Sequence, residues 1–206
     1  MNLSIKLLGI IIVLFIVQML VPTFTNLFIF IPLIAFSEPW RFFTSMFLHG
    51  DVMHILFNGF ALFMFGSLLE RKVSTKDFLI IFVGAGLLGG ILYYLTTFTM
   101  FNPICQSPFG GVWSCPALGA SGAVFGILGA LALLLPEVVV YMWFFPMKMR
   151  YAPIVWFILG VFMQGGNVAH AAHLGGLIFG LIYGWYLSRH QPDTQSGFYQ
   201  PNWQQQ

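Results

Sequence analysis

From residue 4 to residue 187 the chain is a succession of apolar runs with almost no charge inside them, and this limits the possible folds more than any motif does. A helix that crosses a bilayer needs about 20 mostly apolar residues. Six runs meet or approach that length: roughly 4–21, 52–70, 78–98, 117–135, 150–166 and 168–187. Only 7% of the 206 residues are charged, against about 25% in an ordinary soluble domain. So few charges cannot clothe a water-facing surface. The expected fold class is an all-α membrane protein. Residues 1–188 are expected to form one six-helix transmembrane unit, and the polar, Gln-rich residues 189–206 a disordered tail.

The first run follows a single lysine, Lys6, and no small-x-small cleavage site comes after it. The bulky "QMLVPTF" stands there instead, so the run is expected to be a retained helix rather than a signal peptide. "FIFIPLIAF" (28–36) and "VVVYMWFFPM" (138–147) are too short to span and contain proline. They are expected to be interfacial or partly inserted loops. Lysine and arginine favour cytoplasmic loops. With the N-terminus inside, Lys6, Arg71, Lys72, Lys76, Lys148, Arg150 and Arg189 fall on the cytoplasmic side and only Arg41 falls outside. Both termini are therefore expected in the cytoplasm, with the second, fourth and sixth helices running inward from the outer face. This scatter also accounts for the net charge of +2 without a nucleic-acid partner. The lipid bilayer is the partner that the composition demands.

Polar side chains inside a bilayer are costly, and they are usually paired or functional. His54 and Asn58, in "DVMHILFNGF", are four residues apart and share one helix face, with Asp51 as N-cap. Ser121 lies about four residues from the outer end of the fourth run, and His173 about five from that of the sixth. At 1.5 Å per residue these four groups come to one depth, roughly 6–8 Å below the helix ends. Gly119, Gly122, Gly126 and Gly129 on the fourth run, and Gly176, Gly180 and Gly184 on the sixth, would let those two helices approach closely. A serine hydroxyl beside an imidazole is the minimal activated nucleophile. The helix N-terminus at Ser121, with His54 and Asn58, suits a developing oxyanion.

Each element also has a bland reading. A serine in a membrane helix commonly bonds its own backbone, glycine ridges are packing devices, and a buried histidine is often a structural donor. His170 and His173 could suggest a metal, but there is no HExxH and no carboxylate at that depth. Neither a metal nor a cofactor is expected. The agreement in depth is what favours catalysis.

These residues resemble those of the rhomboid family of intramembrane serine proteases, over about Trp40 to Gly184. "WRFFTSMFLHGDVMHILFN" resembles its Trp-Arg loop leading into the His-xxx-Asn helix, "GASGAVFG" its Gly-x-Ser-Gly motif, and "AHLGGLIFG" the segment of its catalytic histidine. The resemblance implies a Ser–His dyad, with Ser121 as nucleophile and His173 as general base. His54, Asn58 and the Ser121 backbone N–H would form the oxyanion hole. Phe125 would lie against the imidazole, and Gly119, Gly122 and Gly176 would support the site. It further implies a structural loop holding Trp40 and Arg41, a hydrogen-bonding role for His49 within that loop, and a family glutamate at Glu70. His170 is the rival base, but only His173 is followed by the family's Gly-Gly.

The substrates implied are transmembrane proteins, and the location a cell membrane, bacterial or archaeal. Cys105 and Cys115, ten positions apart in an outer loop, are open to a disulfide or to two thiols. Two other functions fit parts of the pattern. One is a silent relative that binds membrane clients, although such proteins usually lose the serine or the histidine. The other is a small transporter with His54, His170 and His173 as a proton relay, which leaves Gly-x-Ser-Gly without a purpose.

Overall fold

The computed structural model describes residues 2–97, 115–142, 145–163 and 170–190. They are mostly helical. The main helices are α1 (Leu3–Leu20), α2 (Val52–Glu70), α3 (Thr75–Thr97), α4 (Ser121–Leu134), α5 (Ala152–Met163) and α6 (His170–His190). The first three are long and apolar enough to cross a membrane; α4 and the segment Met149–Leu159 are shorter apolar helices.

Helix α4 is the centre of the molecule. Every residue from Gly122 to Ala132 is buried, as expected of a helix that is apolar all round. On one side it meets α6 backbone to backbone. A Cβ built at Gly176 would overlap the Gly122 carbonyl, one at Gly180 would overlap the Gly126 carbonyl, and one at Gly184 would lie 2.8 Å from the Ala130 Cα. Helix α3 packs along the same pair: a Cβ at Gly89 would come 2.6 Å from the Ala172 carbonyl oxygen. Lipid supplies no hydrophobic drive for helix association, so close packing of this kind has to supply the cohesion.

Polar contacts fix the remaining elements. Glu70, at the C-terminal end of α2, accepts from the backbone N–H groups of Leu3 and Ser4 and from the Ser4 hydroxyl, satisfying orphan donors of the first turn of α1. The Ser74 hydroxyl caps α3, accepting from the Asp77 N–H and donating to the Asp77 carboxylate, and the Tyr183 hydroxyl of α6 donates to Asp77 at 2.9 Å. Residues 21–51 fold into short helical turns around Arg41. Its buried guanidinium pairs with Glu38 and donates to the carbonyls of Asn26 and Ile29 at 2.8 and 2.7 Å.

Two regions differ from the sequence expectation. The run 117–135 is helical only from Ser121. Residues 117–120 are held out of the helix by a bridge between Ala117 and Phe30, by a hydrogen bond from Gly119 N–H to the Ser45 carbonyl (2.9 Å), and by a φ of +126° at Gly119. "VVVYMWFFPM" is not a loop. It contains two antiparallel strands, β1 (Val139–Met142) and β2 (Phe145–Lys148), with Val139 opposite Lys148. Its β-branched and aromatic residues suit a strand. Cys115 is not a free thiol, whereas Cys105, for which the sequence leaves both a disulfide and two thiols open, the linker before His170 and the tail lie outside the described residues.

The α4–α6 contact predicts a sharp asymmetry among glycines. Gly180→Ala should lower stability by about 1–3 kcal/mol, because the helices must part to admit the methyl group. Gly9→Ala on α1, where nothing lies within 4 Å, should be neutral or slightly stabilising. Thermal unfolding of both variants in detergent checks this.

Candidate active site

The α4–α6 contact ends, on the side away from the hairpin, at Ser121 and His173. Ser121 is the first residue of α4, and His173 lies one turn into α6, three residues before Gly176. Ser121 Oγ and His173 Nε2 are 2.7 Å apart, a hydrogen bond. The Phe125 ring, one turn below Ser121, stacks on the imidazole with centroids 4.6 Å apart and planes 24° apart. One edge of the buried His173 ring is thus fixed by the serine and one face by an aromatic ring. Among the described residues, no carboxylate bonds to His173.

Counting residues along the runs had set Ser121 about four positions inside its helix, but it begins the helix. The chain enters the helix through the non-helical residues 117–120. As a first-turn residue, Ser121 offers a backbone N–H without a helical acceptor, at the positive end of the helix dipole.

Helix α2 brings two more donors. Asp51 caps it, accepting from the His54 backbone N–H at 2.8 Å. This orients the first turn and so the His54 ring. Gly50 N–H approaches His54 Nδ1 at 3.5 Å, a long hydrogen bond that assigns the proton to Nε2. Asn58, one turn on, is buried, and its Nδ2 has no partner. Both side chains converge on Gly119. A Cβ there would come 2.7 Å from His54 Nε2 and 3.6 Å from Asn58 Nδ2. Only a residue without a side chain fits here, and the positive φ independently favours glycine. An unpaired buried amide donor costs about 1–3 kcal/mol, and here it lies beside Gly119.

Beside Ser121 is a small cavity of about 50 Å³, lined by Phe30, Ser45, Met46, Gly86, Tyr93 and Gly119 among others. Three participants escaped the sequence reading. The Ser45 carbonyl anchors Gly119, the Gly50 N–H sets the His54 tautomer, and Gln18 of α1 holds the His49 backbone through both ends of its amide, at 3.0 and 3.2 Å. Only Gln18 left a trace, as a lone amide in an apolar run. His170 is not bonded to Ser121. Its ring lies 6.4 Å from that of His173 and 5.8 Å from that of Phe157 on α5. No hydrogen bond of ordinary geometry reaches the two buried ring nitrogens of His49, and the Phe47 backbone is the loop group that acts on the ring. The ring packs edge-on with His54, at 5.0 Å. No group of three or more potential metal ligands gathers among the described residues.

A hydroxyl hydrogen-bonded to an imidazole nitrogen, with the His54 and Asn58 side chains converging on Gly119 nearby, is equipped for acyl transfer. Comparison with known proteins points the same way. Residues 37–190 match the rhomboid domain family. "Rhomboid protein 1, mitochondrial" of Saccharomyces cerevisiae is 30% identical over 151 residues, covering 70% of this chain and 41% of that protein. "Rhomboid protease GluP" of Bacillus subtilis is 34% identical over 150 residues, 73% of this chain and 26% of that one. "Rhomboid protease GlpG" of Salmonella choleraesuis is 30% identical over 156 residues, 74% and 49%. The matches thus span between about a quarter and a half of these relatives' lengths.

The buried His49 predicts an acid sensitivity. Burial pushes its imidazole from the usual 6.5 down to about 3, and the neighbouring His54 adds to the shift. The folded state keeps the ring neutral, whereas the unfolded chain protonates near pH 6.5. The contribution is therefore fully present above pH 6.5 and is lost as the pH falls towards 3. Melting temperatures in detergent across that range should fall with pH, and His49→Leu should flatten the slope. An unchanged slope in the variant would contradict the assignment.

Proposed function

Because the chain belongs to the rhomboid family, we propose that it is an intramembrane serine endopeptidase, acting on peptide bonds in or near transmembrane segments of other membrane proteins. The observation that carries this reading is the 2.7 Å hydrogen bond between Ser121 Oγ and His173 Nε2. In this reading residues 1–188 form a six-helix catalytic unit, with both termini on the cytoplasmic side of a cell membrane and the site near the outer face. Residues 189–206 form a cytoplasmic tail.

The chemistry follows from the geometry. Ser121 Oγ attacks the scissile carbonyl carbon while its proton passes to His173 Nε2. The carbonyl oxygen becomes an oxyanion, which accepts from the Ser121 N–H, Asn58 Nδ2 and His54 Nε2–H. Collapse breaks the C–N bond, and the imidazolium returns its proton to the departing amine. Water then attacks the acyl-serine ester, with His173 taking its proton and returning it to Ser121. The Phe125 ring keeps the imidazole in line in place of an acid.

Helical substrate backbone is shielded by its own hydrogen bonds, so a substrate must unwind locally to reach Ser121. Small or helix-breaking residues near its outer end favour this, and the cavity beside Ser121 has room for a small side chain. Lateral access runs past α5. That helix is short, and Trp156 and Phe157 hold it by edge-on contacts with Phe65 of α2 and Phe125 of α4.

Purified protein should react with a fluorophosphonate probe, and Ser121→Ala and His173→Ala should each abolish labelling. A folded wild type that never labels would overturn the assignment. Removing one oxyanion donor typically slows such enzymes about 100- to 1,000-fold. Asn58→Ala should therefore lower kcat on a transmembrane substrate by about that factor with little change in KM.

A crosslink fixing α5 to α2 should block cleavage of a transmembrane substrate while leaving fluorophosphonate labelling intact. Unchanged cleavage would exclude access past α5.

A further inference from the structure

The hairpin has an apolar face that the rest of the fold does not cover. In an antiparallel ladder, paired residues share a face and the faces alternate along each strand. The pair Val140–Met147 faces the body: Val140 is buried and Met147 packs on the main apolar cluster. The pairs Val139–Lys148 and Tyr141–Pro146 face away from it. Val139 and Tyr141 are 49% and 63% exposed, and Phe145 at the tip is 74% exposed. A sheet with one face on a core normally turns polar side chains to the other. Here the outward face carries valine, tyrosine, proline and one lysine.

The charges lie at the base of the hairpin. Glu137 pairs with both Lys148 (2.8 Å) and Arg150, which leaves one positive charge in excess. The base is closed by hydrogen bonds from Met149 N–H to the Val138 carbonyl and from Arg150 N–H to the Pro136 carbonyl. The hairpin follows the end of α4 opposite Ser121, and Val140 shares an apolar cluster with Leu69 and Val73 at the α2–α3 turn. Arg71 and Lys72 belong to that turn, so the hairpin stands on the Lys/Arg-rich side of the molecule.

We propose that this face docks into the headgroup–acyl boundary of the leaflet on that side, with a preference for anionic lipid. Val139 and Tyr141 enter the boundary, while Lys148 and Arg150 reach the headgroups. Three observations favour lipid as the occupant. The hairpin joins the ends of two apolar helices, α4 and α5, so it stands at the level where the apolar part of the fold ends. An aromatic ring together with a lysine whose apolar stem can lie along the sheet is the composition of an interfacial anchor. The excess positive charge complements an anionic leaflet.

Val139→Cys and Tyr141→Cys, spin-labelled in the full chain and reconstituted in phosphatidylcholine vesicles with or without phosphatidylglycerol, test this without reference to proteolysis. Labels at Lys76→Cys (aqueous) and Ile12→Cys (lipid-facing) set the scale. We expect the hairpin labels to be accessible to oxygen and several-fold less accessible to a nickel chelate than position 76. Phosphatidylglycerol should increase the shielding, and Lys148→Gln with Arg150→Gln should remove that increase. Three results overturn the proposal: nickel accessibility equal to that of position 76, shielding that appears only at high protein-to-lipid ratio (a second copy), or shielding lost when residues 191–206 are removed (the tail). Shielding indifferent to phosphatidylglycerol would overturn the anionic preference.

Discussion

Two helix backbones touching inside a bilayer are what the rest of this structure depends on. Gly122, Gly126 and Ala130 of α4 meet Gly176, Gly180 and Gly184 of α6 at distances that exclude a Cβ from the α6 positions. The spacing of four residues on both helices sets the contact points one above another. Ser121 sits next to the uppermost point on one helix, and His173 one turn before it on the other. Their 2.7 Å hydrogen bond continues this ladder rather than being a separate feature. Helix α3 leans on the same pair through Gly89 and the Ala172 carbonyl, so the third long helix is located by the first two.

The buried polar groups separate into two classes by how well they are paired. Those that hold the scaffold are satisfied. Arg41 bonds a carboxylate and two carbonyls, Gln18 uses both ends of its amide, and Glu70 takes up the first donors of α1. Those around Ser121 are not: Asn58 Nδ2, both nitrogens of His49 and Nδ1 of His170 are buried with no hydrogen bond of ordinary geometry. Native interiors rarely leave such groups unpaired. Asn58 Nδ2 is unpaired beside Gly119, and its desolvation cost is met by the packing of α2 against the rest. A donor already stripped of water needs no reorganisation when charge develops beside it.

Much of this was legible in the sequence. The long apolar runs identify α1 to α3 within three residues, because a membrane span has few alternatives once its length and charge are set. The glycine spacing pairs α4 with α6, and Asp51 marks the start of α2 by its capping chemistry. What escaped was non-local. Residues 117–120 leave the helix because of Phe30 and Ser45, which are more than 70 positions away, and no local pattern announces this. Gly119 reads as part of a packing ridge but serves to let His54 and Asn58 approach. His49 reads as a hydrogen-bonding loop residue, and nothing local announces that its ring packs edge-on with His54. The hairpin was hidden because a short apolar segment with proline carries too little periodicity to distinguish strand from loop.

The glycines of this fold differ in what a second change elsewhere in the chain can repair. At Gly84 and Gly86 the obstacle to a larger residue is a side chain, Phe179 in one case and Met46 in the other. Trimming either obstacle would make room, so compensating pairs exist and the sequence is free to drift along them. At Gly176, Gly180 and Gly184 the obstacle is the main chain of α4, which no substitution can shorten. A genetic search for suppressors should therefore recover second-site revertants of lesions at the first two positions and only true revertants at the other three. The contact that aligns Ser121 with His173 is in that sense the part of the protein with no alternative spelling.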